Sequence, residues 1–134
     1  MVGRNNPFNI RNNRHNKWRG QVGSRKGFCN FDSLTIGVRA ACIILMRSYR
    51  KFGFITVEQI IKRFAPSPEN DTEKYILFVC NQTGFFRSTM MVTDSDYVKL
   101  LFAMAKFEGN PVPYDLISQT ISLYNIVPLP YESK

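Results

Sequence analysis

The residues best equipped for chemistry lie at opposite ends of the sequence. Towards the C-terminus, LLFAMAKFEG (100–109) closes an apolar helical stretch on Glu108, flanked by Phe107 and Gly109. A carboxylic acid in a partly apolar cleft is a general-acid candidate for cleaving a glycosidic bond, because burial favours the protonated form. At the end of a helix the negative pole of the backbone dipole acts in the same direction. Towards the N-terminus, GRNNPFNIR (3–11) sets Asn5, Asn6 and Asn9 beside Pro7, with Arg11 behind them and Trp18 further on. Amide side chains of this kind can read sugar hydroxyls and N-acetyl groups, and Trp18 can stack on a sugar face. Each residue also has an ordinary use. Asn forms turns and caps helices, Trp packs in cores, and Glu often precedes a Gly stop.

The other acids have better structural explanations. Glu58 and Glu73 fall in the first turns of helices, and Glu69 in SPEN is a turn or cap acid with a weak functional case. Asp32 and Asp115 are the candidates for a second carboxylate beside Glu108, and neither has a compelling spacing. The single histidine, His15, lacks a nucleophile at triad spacing. Neither GxxxxGK nor GxGxxG occurs, which argues against nucleotide chemistry. Cys29, Cys42 and Cys80 show no metal-ligand spacing, so neither a zinc site nor any cofactor is expected. Cys42 and Cys80 lie in apolar helical runs and read as buried free thiols, which fits synthesis in a reducing compartment.

Five helices and a short β element must position these groups. The stretch 32–53 is the strongest helix, capped by Asp32 or Ser33, ended by Gly53, and apolar around most of its circumference. TVEQIIKRFAP (56–66) opens with a Thr56–Gln59 capping box and stops at Pro66. Helices follow over 67–84, 93–109 and 113–125, with IVPLPYESK as a Pro-broken tail. GQVGSRKG (20–27) reads as a turn or hairpin tip, and GFCNF (27–31) as a short strand. The expected fold is predominantly α (α+β), one domain over residues 1–134.

Net charge is +8, and its placement narrows the partners. Residues 1–31 carry seven Lys/Arg and no acid, so nearly all the excess lies in the first quarter. A polyanion is favoured, either the bacterial cell wall or nucleic acid. Nucleic acid is the weaker choice, since the cations are scattered through a loop and no recognition motif accompanies them. No apolar run is long enough to span a membrane. MVGRNNPFN lacks the apolar core of a signal peptide. The protein is expected to be made in the bacterial cytoplasm and to reach the wall through lysis, a pore or virion delivery.

Several blocks occur together in order: RNNPFNIR, then WRG (18–20), GFCNFDSLTIGVRAA, and RFAPSPENDTEKYILFV. This series resembles a group of phage and prophage proteins usually labelled virion structural or lysozyme-like, with Phe8 standing where that group usually has Gly. A looser similarity reaches lysozyme-like glucosaminidases and lytic transglycosylases. There an Ala-x-x-x-Glu-Ser-Gly helix end precedes an Asn-rich turn, a Trp-x-Gly and a Phe-x-x-Tyr-x-Ser segment. Ala105–Gly109 is similar to the first part, and Asn9–Arg11, Trp18, Gly20, Phe28, Phe31 and Ser33 to the rest. The order is reversed, which implies a circularly permuted lysozyme-like domain.

The resemblance implies a peptidoglycan-cleaving enzyme with Glu108 as catalytic acid and Asn5, Asn6, Asn9, Arg11 and Trp18 as substrate-binding residues. The alternative is a non-catalytic virion structural or cell-wall-binding protein on the same scaffold, with other virion proteins as partners. In the permuted site, Leu100, Leu101, Met104 and Phe107 are expected to pack on the helix 34–52, leaving Glu108 beside Asn9 and Ile10.

Overall fold

Side-chain caps fix where the helices begin. In the computed structural model, which describes residues 1–130, helix α1 (Leu34–Ile43) starts where the Ser33 hydroxyl accepts from the Ile36 N–H. The chain then runs on through a π-helical turn (Ile44–Ser48) and a last α turn (Tyr49–Lys51). Helix α2 (Val57–Phe64) carries the Thr56–Gln59 capping box and ends before Pro66. Asp71 caps α3 (Thr72–Thr83), which stops at left-handed Gly84. Thr93 and Asp96 form a second capping box on α4 (Asp94–Phe107), and α5 (Tyr114–Leu123) follows Pro113. The end of the expected C-terminal tail, 131–134, lies outside the described residues. The fold is mostly helical, with one small sheet near the N-terminus.

That sheet corrects the reading of 20–27. Gln21–Arg25 is not merely a hairpin tip but strand β1, paired antiparallel with β2 (Phe28–Phe31) across an irregularity between Gln21 and Ser24. The turn itself is Lys26–Gly27, and both residues have positive φ. Exposed Val22 and buried Phe31 show that only β2 turns side chains into the core.

Helix α4 is the centre of the core. Leu100, Leu101, Ala103, Met104 and Ala105 are all buried. It packs mainly between α3 and α5, and touches α1 less than the sequence pattern suggested. Phe107 in particular stacks on Tyr75 of α3 (ring centroids 4.1 Å apart) and leans on Phe78 (5.4 Å). A helical periodicity shows which face is buried but not which neighbour buries it. The thiols also divide differently from expectation. Cys29 and Cys42 are buried and Cys80 is half-buried. Burial pushes the Cys42 thiol up to about 12.

The Asn-rich loop lies against this core through a close backbone contact. Gly37 of α1 is buried, and a Cβ there would collide with the carbonyl oxygen of Asn5. The obstacle is backbone and cannot rotate away. Gly37→Ala is therefore expected to lower stability by about 1–3 kcal/mol through overpacking, even though Ala favours helix. Urea unfolding measures this, and an unchanged midpoint would show that the loop shifts freely.

Glu58 and Glu73 belong to a surface ion cluster. Arg87 donates to Glu73 at 2.6 and 2.8 Å and to Glu58 at 3.0 Å, and Lys62 reaches Glu58 at 2.7 Å. The hydrogen bond with Lys62, then that with Arg87, holds the Glu58 carboxyl below its usual range; Arg87 does the same for Glu73. A depressed folded-state pKa contributes stability above the unfolded-state value and loses it as pH falls through the folded one. Arg87→Ala should therefore flatten part of the fall in melting temperature on acidification below the ordinary carboxylate range. Parallel acid titrations of the melting curves check this, and superimposable slopes would refute it.

Candidate functional site

The first loop and the end of α4, about a hundred residues apart in sequence, meet directly. Asn9 Nδ2 donates to Glu108 Oε1 at 2.8 Å. Both backbones are shaped for it. Asn9 sits at φ 54°, a left-handed conformation that Asn tolerates better than most residues. Its N–H bonds back to the Asn6 carbonyl. Glu108 is the C-cap residue of α4, and Gly109 turns the chain away at φ 83°. Asn110 adds a second tie, donating to the Pro7 carbonyl at 3.2 Å.

The pair lies on the wall of a groove of about 970 Å³. Asn9, Arg11, His15 and Trp18 line it from the loop, and Glu69 and Asn70 from the α2–α3 connection. Ile44, Ser48 and Tyr49 line it from the π-helical turn and the residue after it. Such turns recur at functional sites, since the extra residue re-aims side chains. Burial pushes the Tyr49 phenol up to about 12, with Arg63 pulling it the other way. Arg63, itself in the groove lining, adds to the positive charge of Arg11 and Arg14.

The proposed sugar-contacting residues therefore separate into two sets. Asn9, Arg11 and Trp18 share the groove with Glu108. Asn5 and Asn6 serve the loop itself. Asn6 is fully buried; its Nδ2 donates to the carbonyls of Ile10 and Cys29, and its Oδ1 accepts from the Ile10 N–H. Asn5, at φ 55°, donates to the Phe31 carbonyl. Both are structural pegs that shape the segment carrying Asn9. Trp18 is half-buried, packed on the core edge while facing the groove.

Glu69 is the groove acid whose sequence signal was weakest. Its only cue was a loop position after Pro68, and topology alone brings it opposite the Asn-rich segment. Arg11 reaches it at 4.0 Å with both side chains largely exposed, a contact of small energetic weight. Arg11 also lies over the Phe28 ring, 4.9 Å from its centroid. Asp32 and Asp115 do not line the groove.

Beneath Glu108 lies Tyr75. Its hydroxyl is buried, and among the described residues no acceptor meets it in good hydrogen-bond geometry. Burial first, then the nearby Glu108 carboxylate, holds the phenol well above its usual range. The geometry is a close approach rather than a made bond. Phe107 stacks on the ring of Tyr75, so that the residue before Glu108 is anchored on α3. Among the described residues no group of three or more His, Cys, Asp or Glu side chains is placed to hold a metal. No helix there is long and apolar enough to cross a membrane.

Comparison with known proteins supplies the lineage. The chain is 37% identical over 121 residues to Protein P5 of Pseudoalteromonas phage PM2, an alignment covering 86% of this chain and 75% of the phage protein. The chain belongs to the family of that phage protein. No protein-family model matches the sequence. The relationship places the chain among phage proteins.

Proposed function

We propose that this P5-family protein is a phage- or prophage-derived enzyme that cleaves the glycan strands of peptidoglycan, folded as one lysozyme-like domain with permuted chain order. The observation that carries the reading is the 2.8 Å hydrogen bond from Asn9 to Glu108 on the wall of an open, basic groove. A permuted lysozyme-like site requires that junction of the first loop with the last part of the acid-bearing helix. The groove is open enough for a polymer, and its positive charge suits an anionic wall.

In this mechanism Glu108 gives its proton to the glycosidic oxygen as the bond to the anomeric carbon breaks. The substrate's own N-acetyl oxygen, or its C6 hydroxyl, supplies electrons to that carbon. Glu108, now a carboxylate, takes a proton from the incoming water or from that hydroxyl. Asn9 holds one Glu108 oxygen and leaves the other free for the leaving group. Trp18 and Arg11 hold the strand. The protein is made in the bacterial cytoplasm and meets the wall through lysis, a pore or the virion.

The test is digestion of purified sacculi followed by mass spectrometry of the soluble products. Anhydro-muramic ends identify internal cyclisation, and reducing ends identify hydrolysis. Intact sacculi after prolonged incubation would overturn the reading. A second reading, a non-catalytic virion or wall-binding protein, draws on the large apolar side chains left in solvent, Phe86 (78% exposed), Phe52 and Leu123 (70% each) above all. Such groups suit packing against other phage proteins. Intact sacculi together with co-purification with virions would favour it.

A further inference from the structure

The groove is not the only concavity that reaches Glu108. A second one, of about 390 Å³, shares Asn9, Glu108 and Val2 with it and extends the other way in sequence terms, to Arg25, Lys26 and Asn110. A polymer lying across Glu108 would present different parts of itself to the two. The first concavity offers Trp18, Tyr49 and amides, which suit sugar rings, together with Arg11, Arg14 and Arg63. The second sets Arg25 and Lys26 beside Met1 and Val2, with no aromatic side chain in its lining.

Those cations are unspent. Arg25 and Lys26 are exposed, and among the described residues neither lies within ion-pair distance of an acid. Glu108 itself is engaged by Asn9. Lys26 occupies the first of two positive-φ positions in the β1–β2 turn, at φ 50°, with Gly27 following at 83°. Such a turn ordinarily selects Asn-Gly. Here a lysine stands where backbone conformation alone favours Asn, and the hairpin places it in the same concavity as Glu108.

We infer that this second concavity is an anion subsite for carboxylates carried on side branches of the glycan, the acidic peptide stems of peptidoglycan. The inference rests on the peptidoglycan reading. The strand crosses Glu108 with its sugars in the larger groove, while a stem carboxylate beside the cleavage point meets Arg25 and Lys26. The hairpin would thus select stem-bearing strands over bare amino-sugar polymers.

The experiment compares binding of the Glu108→Gln chain to purified sacculi with native stems and to the same sacculi with stem carboxyls amidated. Binding to native sacculi should be about five-fold or more tighter, the worth of two partly screened charge contacts. Arg25→Gln combined with Lys26→Asn removes both charges and places at position 26 a residue the turn favours. That variant should bind native sacculi only as well as amidated ones, with its binding to amidated sacculi unchanged. Equal binding of the parent chain to both forms, or an equal loss by the variant on both, would overturn the subsite. Cleavage by the unsubstituted chain is scored separately. Cleavage with charge-blind binding leaves the catalytic reading standing without the subsite. Charge-dependent binding without cleavage does the reverse.

Discussion

Glu108→Gln is expected to keep the fold and lower release of soluble peptidoglycan by about 10²–10⁴-fold, the range a single general acid contributes. The fold should survive because the helix end does not use the carboxyl. The Glu108 N–H bonds to the Met104 carbonyl, and Gly109 makes the exit turn. Gln also retains an Oε1 to accept from Asn9, so the 2.8 Å contact can persist. What is lost is the proton. Zymography on purified walls reads the activity, and far-UV circular dichroism with a melting curve reads the fold. Full activity in a folded variant would remove Glu108 from the mechanism. Glu69→Gln is the informative partner. In a single-acid mechanism it costs less than about ten-fold, since Glu69 is exposed and its ion pair with Arg11 is long, at 4.0 Å. Equal, severe losses in both variants would instead require two cooperating carboxylates.

The helices and their caps were legible because their signals are local. Ser33, the Thr56–Gln59 box, Asp71, Thr93 and the stop at Gly84 are each read from a few neighbouring residues. The mostly helical fold with a small N-terminal sheet follows from them. The site was legible only in part. That Asn9 and Glu108 meet was implied by a family resemblance and by no spacing in the chain. Asn5, Asn6 and Asn9 look alike in sequence, yet the first two face inward and the third faces the groove. Their difference depends on where β2 runs, because the carbonyls of Phe31 and Cys29 are what claim Asn5 and Asn6. The π-helical turn left no signal, since ILMRS is as compatible with α geometry. Phe107 stacks on Tyr75 and not on α1 for a similar reason, because partner choice is settled by packing of whole helices. Glu69 enters the groove only because the α2–α3 connection folds back over it.

Asn6→Ala should be among the most damaging single changes in the first loop. The side chain is fully buried and makes three hydrogen bonds, all to backbone: Ile10 O at 2.9 Å, Cys29 O at 3.0 Å and Ile10 N at 2.9 Å. Truncation leaves the Ile10 N–H without that partner and takes one donor from each carbonyl, although the Ile10 carbonyl still accepts from the Cys29 N–H. Each unsatisfied group costs about 1–3 kcal/mol, so the loss should reach roughly 3–5 kcal/mol after partial relaxation. For a chain of this length that is a fall in melting temperature of roughly 10–20 °C. Activity should fall with it, because the Asn9 N–H bonds to the Asn6 carbonyl and depends on the same loop shape. Asn6→Asp separates geometry from charge. It keeps the acceptor and the size, but it removes the donor and buries a carboxyl against two carbonyl oxygens. The charged form is disfavoured there, so the folded-state pKa of the introduced acid lies above its unfolded value. The penalty is then largest above the folded pKa, shrinks as pH falls through it, and is gone below the unfolded one. The Asn6→Asp chain should therefore regain part of its stability relative to the unsubstituted protein on mild acidification, whereas Asn6→Ala should not. Melting curves at pH 7 and pH 4.5 distinguish the two. An unchanged midpoint and full wall cleavage in Asn6→Ala would show that the loop holds its shape, and Asn9 its place beside Glu108, without this side chain.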